Sequence, residues 1–192
     1  MYNILLLNNL DSLTYNLINM LKNLKQKIII YRNTENFQTI LLTLTTMKNP
    51  IIILSSGPGI PENSGCLLKI LTFCKGKIPI LGIGLGYLAI IKKYNGIICH
   101  SKIIKLGQFI SITHDQSEMF LNIPNPLLVA RYYTLVCKNI PKDLIVNACF
   151  KNTPMSIRNN FDRICGLNFH PESILTFHGK ILLKQHIEWL RS

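Results

Sequence analysis

The sequence predicts an α/β fold, with a mostly parallel central sheet flanked by helices and a small antiparallel extension. Three observations predict it. In the first half, short apolar runs alternate with segments of helical spacing, the order that βαβ units require. Those runs are apolar throughout, as expected of parallel strands covered on both faces. In the second half, short strand-like runs follow one another with turns between, which suggests antiparallel strands added at the sheet's edge. At 192 residues the chain suits one domain, spanning residues 1–192. A chain of this size buries about 70% of the surface its unfolded form exposes. With 48% hydrophobic residues it has the material for a full core.

The elements are justified in order. Ile4 to Leu7 reads as a first buried strand. The polar turn Asn8-Asn9-Leu10-Asp11-Ser12 can cap a helix from about Leu13 to Leu24, and Asp11 and Ser12 are most simply its caps. Lys27 to Tyr31 is a second strand. From Thr34 to Met47, Phe37, Ile40, Leu41 and Leu44 recur at helical spacing. Pro50 precedes a third strand, Ile51 to Leu54, and Ser55-Ser56-Gly57-Pro58-Gly59-Ile60-Pro61 follows as a rigid loop. Ser64 reads as the cap of a helix over Gly65 to Phe73. The strand Ile78 to Leu81 runs into Gly82 to Leu88 and a helix over Leu85 to Tyr94. Next come short strands at Ile97–His100, Ile103–Leu106, Phe109–Thr113, Leu127–Arg131, Leu144–Cys149, Met155–Arg158 and Ile164–Phe169. An amphipathic helix over Phe177 to Leu190 closes the chain.

Several function classes are excluded. No apolar run approaches the roughly 20 residues that span a bilayer. The N-terminus has no basic flank or cleavage site and reads as a strand, not a signal peptide. The six cysteines (Cys66, Cys74, Cys99, Cys137, Cys149, Cys165) show no metal spacing. Most lie in apolar runs, so they read as buried free thiols in a reducing cytoplasm, and neither metal nor cofactor is implied. The net charge of +12 invites a nucleic-acid reading. Against it, the lysines are scattered, not blocked into a run. The chain is also crowded with Ile, Asn and Lys and has only three Ala, a pattern that AT-rich codons produce without any partner. Neither a nucleic-acid nor a membrane partner is expected.

One segment carries the question of function. Gly82-Ile83-Gly84-Leu85-Gly86-Tyr87-Leu88 follows an apolar strand and opens a helix, the architecture of a nucleophile elbow. Gly84 sits at the apex and has no side chain to attack with. Alone, this segment would be an ordinary tight turn between strand and helix. It is not a dinucleotide loop, because the second glycine spacing is wrong and no acidic residue follows about 20 positions on. A second segment, Asn168-Phe169-His170-Pro171-Glu172-Ser173-Ile174, ends a strand in His, Pro, Glu. A lone histidine is usually structural, but this context makes His170 a candidate base. His100, His114, His178 and His186 have no such pattern. Cys66, Cys74 and Cys99 lie on no elbow and do not substitute for a nucleophile.

Together with Ser55 to Gly59, these segments resemble the class I glutamine amidotransferases. In that family the elbow reads Gly-Ile-Cys-Leu-Gly-His-Gln, and a late His-Pro-Glu completes a Cys-His-Glu triad. Asn9-Leu10-Asp11-Ser12-Leu13-Thr14-Tyr15-Asn16-Leu17 resembles the Asp-Ser-Phe-Thr-Tyr-Asn signature of the chorismate-using branch. Arg131-Tyr132-Tyr133-Thr134-Leu135 is similar to that branch's Arg-Tyr-His-Ser-Leu, and the stretch from His170 to Thr176 fits its ending. The nearest members are the glutaminase subunits of anthranilate synthase (component II); those of aminodeoxychorismate synthase are a close second.

The resemblance implies a chemistry. A thiolate at the elbow attacks the side-chain amide of glutamine and forms a thioester. His170 would shuttle the proton and Glu172 would orient its imidazole. Backbone N–H groups near Gly57, Pro58 and Gly59 and at Leu85 would form the oxyanion hole. Positions 88, 134 and 135, here Leu88, Thr134 and Leu135, would meet the substrate. Ammonia would pass to a chorismate-using synthase subunit, component I, the partner the resemblance implies. The departures cluster around one pocket. Gly84 stands where the family has Cys, Tyr87 where it has His, Leu88 where it has Gln, Tyr133 where it has His, Thr134 where it has Ser and Ser56 where it has Pro. Loss of the nucleophile costs about 10⁶-fold in a hydrolase triad. The expectation is a glutaminase-defective copy that acts, if at all, as a binding subunit. A working enzyme with an unusual nucleophile and a decayed gene product stay open beside it.

Overall fold

The computed structural model describes residues 3–100, 107–132 and 134–192. The first half alternates as expected. Strand β1 (Asn3–Asn8) leads to helix α1 (Thr14–Asn23), β2 (Lys27–Arg32) to α2 (Phe37–Thr46), β3 (Pro50–Leu54) to α3 (Leu67–Cys74), and β4 (Ile80–Ile83) to α4 (Leu85–Lys93). The second half holds β5 (Ile97–His100), β6 (Gln108–His114), β7 (Leu127–Arg131), β8 (Leu135–Asn139), β9 (Ile145–Phe150), β10 (Thr153–Asn159) and β11 (Ile164–Leu167), then α5 (Gly179–Trp189).

Nine strands form one sheet in the order β2-β1-β3-β4-β11-β10-β9-β6-β7. From β2 to β11 every pairing is parallel, and from β11 to β7 every pairing is antiparallel. Strands β5 and β8 pair with each other as a separate antiparallel ribbon.

Successive side chains of a strand point to opposite faces, so a strand covered on both sides must be apolar throughout. Ile4, Leu6, Ile51, Ile53, Leu81 and Ile83 belong to one buried cluster, together with Leu17 and Leu21 of α1 and Leu182, Leu183 and Ile187 of α5. Leu5, Leu7, Ile52, Leu54 and Ile80 belong to the other, with residues of α2, α3 and α4. Full burial of one such side chain contributes about 1.5–3 kcal/mol. Helix α4 is buried all round from Leu85 to Ile91. It lies so close to β3 that a Cβ at Gly86 would fall 2.3 Å from the Leu54 carbonyl oxygen.

The structure corrects four local expectations. Ile164–Leu167 is not part of the edge extension: it pairs in parallel with β4 and sits in the centre of the sheet. Ser64 does not cap α3. Its hydroxyl donates back to the Ile60 carbonyl at 2.8 Å, and α3 begins at Leu67 with no side-chain cap. Asp11 does accept the Leu13 N–H, at 2.6 Å, but the N-cap of α1 is Leu13, and its side chain makes no cap. Strand β8 was absent from the expected elements, because its buried start, Leu135-Val136-Cys137, is too short to show a period. The expected strand Ile103–Leu106 lies outside the described residues.

The placement of β11 matters most for function. Strands β1, β3, β4 and β11 run in parallel side by side, so the loops after them all leave from one edge of the sheet. Those loops carry Asn9 to Asp11, Ser55 to Gly59, Gly84 and His170 to Ser173. Open α/β sheets place their ligand sites at this carboxyl edge.

Candidate active site

The turn between β4 and α4 has the strained geometry of an elbow. Gly84 has φ +55° and ψ −105°, a left-handed region that side chains avoid, and it is the N-cap of α4. Its N–H donates to the Leu167 carbonyl at 2.9 Å, tying the turn to β11. No side chain caps the N-terminus of α4. A Cβ built on Gly84 would stand 2.9 Å from the Ser56 Cβ and 3.7 Å from His170 Nε2. A side chain at position 84 would therefore point at the histidine.

His170 is held from several directions. Its N–H donates to the Ala130 carbonyl at 3.0 Å. Its carbonyl accepts the Thr176 hydroxyl at 2.7 Å, and that same hydroxyl oxygen accepts the Ala130 N–H at 3.0 Å. Its Nδ1 meets Glu172 Oε1 at 2.9 Å, with both residues buried. The Tyr132 ring stands edge-on to the imidazole at 5.0 Å, and its hydroxyl bonds the Ser173 hydroxyl at 3.0 Å. With Nδ1 engaged by the carboxylate, Nε2 is the free nitrogen, and it has no hydrogen-bond partner among the described residues. Burial is the largest single influence on the His170 pKa and pushes it down. The Glu172 charge and hydrogen bond, helped by Asp11, outweigh burial and leave the pKa raised above its ordinary value.

The loop after β3 is clamped from β1. The Asn9 N–H donates to Ser55 Oγ at 2.9 Å, and Asn9 Nδ2 donates to the Ser55 carbonyl at 2.7 Å. The Ser55 hydroxyl donates to the Ser56 carbonyl at 2.8 Å. Gly57 packs against Asn9, while Pro58 and Gly59 are exposed. Ser56 is buried, and its own hydroxyl has no partner among the described residues.

The residues singled out in the sequence are thus only partly brought together. Gly84, His170, Glu172 and the Ser55–Gly59 loop converge, with Leu85 as the first residue of α4. Leu88 is fully buried and shares an apolar cluster with Leu85, Tyr87 and Leu135. Tyr87 is core as well: its hydroxyl donates to the Pro154 carbonyl at 3.2 Å, and burial pushes its pKa well above the ordinary phenol range. Thr134 is half-buried, and Tyr133 lies outside the described residues. Sequence reasoning missed the tie that Thr176 makes to His170 and the free hydroxyl of Ser56. Thr176 was legible only as a motif position, and Ser56 only as a departure from a family pattern.

Comparison with known proteins agrees with this geometry. The family model for glutamine amidotransferase class-I matches residues 5–189. The chain belongs to that family. It is 50% identical over 189 residues to anthranilate synthase component 2 of Buchnera aphidicola subsp. Schizaphis graminum, covering 98% of this chain and 96% of the relative. It is 41% identical over 190 residues to the protein of the same name from Haemophilus influenzae, covering 99% and 98%. Two solved structures share the fold at lower identity. A protein described as a GMP synthase subunit from Thermoplasma acidophilum aligns with TM-score 0.85 at 19% identity, covering 100% of this chain and 94% of that one. A glutamine amidotransferase from Thermotoga maritima aligns with TM-score 0.75 at 12% identity, covering 100% and 99%. Among the described residues of this amidotransferase-family chain, no helix is long and apolar enough to cross a membrane, and no group of three or more His, Cys, Asp or Glu could hold a metal ion.

Proposed function

We propose that this chain is the amidotransferase-type subunit of anthranilate synthase, serving tryptophan biosynthesis as a binding subunit that has lost glutamine hydrolysis. The observation that carries the reading is the bare elbow. Gly84 presents no atom to attack an amide, although His170 and Glu172 stand paired beside it. Loss of the nucleophile costs about 10⁶-fold in a hydrolase triad, or about 8 kcal/mol of barrier. The pocket side agrees. Leu88 offers no hydrogen bond to a glutamine carboxylate or amide, and its burial gives it a structural place instead. Gly57, Gly59 and Leu85 keep backbone N–H groups suited to an oxyanion hole, Pro58 having none to donate, and Thr134 and Leu135 keep the positions that meet substrate. The curated relatives are named anthranilate synthase component 2, which favours this branch over the aminodeoxychorismate one.

A surface beside the site fits a docking role. Leu10 is 50% exposed, Tyr15 72%, Ile174 86% and Phe177 73%, and these residues lie on the segments that flank His170 and Asp11. Exposed apolar side chains on segments next to a site are suited to a binding surface. Component I is the partner proposed for it. Co-expression with component I tests the reading. The expected outcome is a stable complex that makes anthranilate from chorismate and ammonium. Failure to co-purify would contradict it.

A further inference from the structure

Among the described residues, two buried polar atoms remain without partners beside Gly84: the hydroxyl of Ser56 and Nε2 of His170. Ser56 is 1% exposed and His170 1%. Leaving such groups unpaired is costly, and a buried polar atom without a partner calls for an explanation such as a reactive role. Both side chains close on one point: the Cβ position of Gly84 lies 2.9 Å from Ser56 Cβ and 3.7 Å from His170 Nε2. On the far side of the ring, Nδ1 meets Glu172 at 2.9 Å. The uncapped N-terminus of α4, a nine-residue helix, opens at the same place.

We propose that Ser56, His170 and Glu172 form a serine-type triad, with Ser56 as a nucleophile standing in from the neighbouring loop, and that it hydrolyses small acyl esters. The residue types are those a serine hydrolase uses, hydroxyl, imidazole and carboxylate, and Ser56 and His170 border the same point. The Ser56 backbone is pinned by the Ser55 hydroxyl, which leaves its side chain as the free element. No hydrogen bond links the Ser56 hydroxyl to Nε2 in this structure. Catalytic hydrogen bonds in unliganded sites are often long and tighten only with substrate. The partial positive charge of the α4 backbone dipole at its N-terminus is placed to stabilise an oxyanion. Leu88 is fully buried and apolar and gives the polar end of glutamine no hydrogen bond. A short acyl ester is therefore the substrate class, and this activity stands apart from glutamine hydrolysis.

The step balances. The Ser56 hydroxyl oxygen bonds the ester carbonyl carbon, and its proton moves to His170 Nε2. The C–O bond to the alcohol breaks, and the alcohol leaves with that proton. Water then attacks the acyl-serine and gives its proton to Nε2. The acyl–oxygen bond breaks, the proton returns to Ser56, and the acid is released. The net change is ester plus water to acid plus alcohol.

The test uses a fluorophosphonate, which bonds activated serine hydroxyls with loss of fluoride. The folded chain is incubated with the probe and mapped by mass spectrometry, beside Ser56→Ala and His170→Asn. The expected result is one phosphonyl group on Ser56, absent from Ser56→Ala and formed at least about 100-fold more slowly in His170→Asn. Hydrolysis of p-nitrophenyl acetate is expected to fall to background in both variants. Peptide mapping of the unaltered chain gives the answer even where a variant folds poorly. An unmodified chain, or an adduct on another residue, overturns the proposal. Either result leaves the docking reading untouched, because binding to component I is measured separately.

Discussion

The two arms of the candidate site are built differently. The histidine arm, from Ala130 through His170 to Thr176, keeps its polar contacts: the imidazole pairs with Glu172, and the Thr176 hydroxyl bonds both His170 and Ala130. The elbow arm, from Gly84 to Leu88, has a bare glycine at its apex and core-packed side chains at Leu85, Tyr87 and Leu88. The difference has a physical reason. The bonds of the histidine arm join β7 to the chain leaving β11, so removing them leaves buried groups unpaired. In the elbow arm, an apolar residue at position 88 adds buried surface, and a glycine at 84 relieves a left-handed strain. The histidine arm thus serves the fold as well as the site, whereas the elbow side chains serve the core alone.

The largest effect that sharpens this comparison comes from Gly84→Cys. It supplies a nucleophilic atom, worth about 10⁶-fold in a hydrolase triad. Only part of that gain is expected in glutamate release, because Leu88 gives glutamine no hydrogen bond. The double variant Gly84→Cys with Leu88→Gln is expected to exceed the single one by about 10–100-fold, the kinetic equivalent of about 1–3 kcal/mol of pairing. Equal rates would show that a glutamine side chain at position 88 adds nothing to glutamine binding.

A second effect lies in pH. His186 is fully buried in α5, packs edge-on against Phe120 and donates from Nδ1 to the Leu182 carbonyl at 2.8 Å. Burial pushes its pKa down to about 4 from the usual 6.5, partly offset by that hydrogen bond. The unfolded chain therefore takes up a proton before the folded one, and stability falls as pH drops from about 6.5 to 4, by about 3 kcal/mol in all. His170 has the opposite sign. Its raised folded pKa contributes stability that is complete below the unfolded value and is lost as pH rises through the folded value. Urea unfolding across pH 4–8 is expected to show the acid-side loss, and His186→Phe is expected to flatten it.

Smaller effects separate the arms by stability alone. Thr176→Val strips a hydroxyl from the histidine arm and is expected to cost about 1–3 kcal/mol in urea unfolding. Gly84→Ala places a Cβ in left-handed backbone and is expected to cost about 1–2 kcal/mol. A neutral Thr176→Val would contradict the structural role assigned to the histidine arm.

Much of this was legible in the sequence, and the gaps have a pattern. The apolar runs announced the parallel strands, since burial on both faces leaves no polar alternation. The elbow and the His170-Pro171-Glu172 ending were legible because each is a local turn with its own chemistry. The central position of β11 was hidden because strand pairing is set by residues far apart in the chain: Ile164 meets Ile80 and Leu167 meets Ile83. Ser64 has the composition of a cap, yet its hydroxyl bonds the preceding turn instead, a competition that composition alone does not decide. The burial of Tyr87 and Leu88 was not legible either, because α4 is apolar all round and shows no exposed face to orient it.

The central claim is that this chain holds a paired base without the nucleophile that glutamine hydrolysis needs. Glutamate release by the purified complex with component I, measured with glutamine as sole nitrogen donor, tests it most directly. The account predicts background release, in a complex that still forms anthranilate from ammonium. Glutamate and anthranilate formed from glutamine at equal, sustained rates would contradict it.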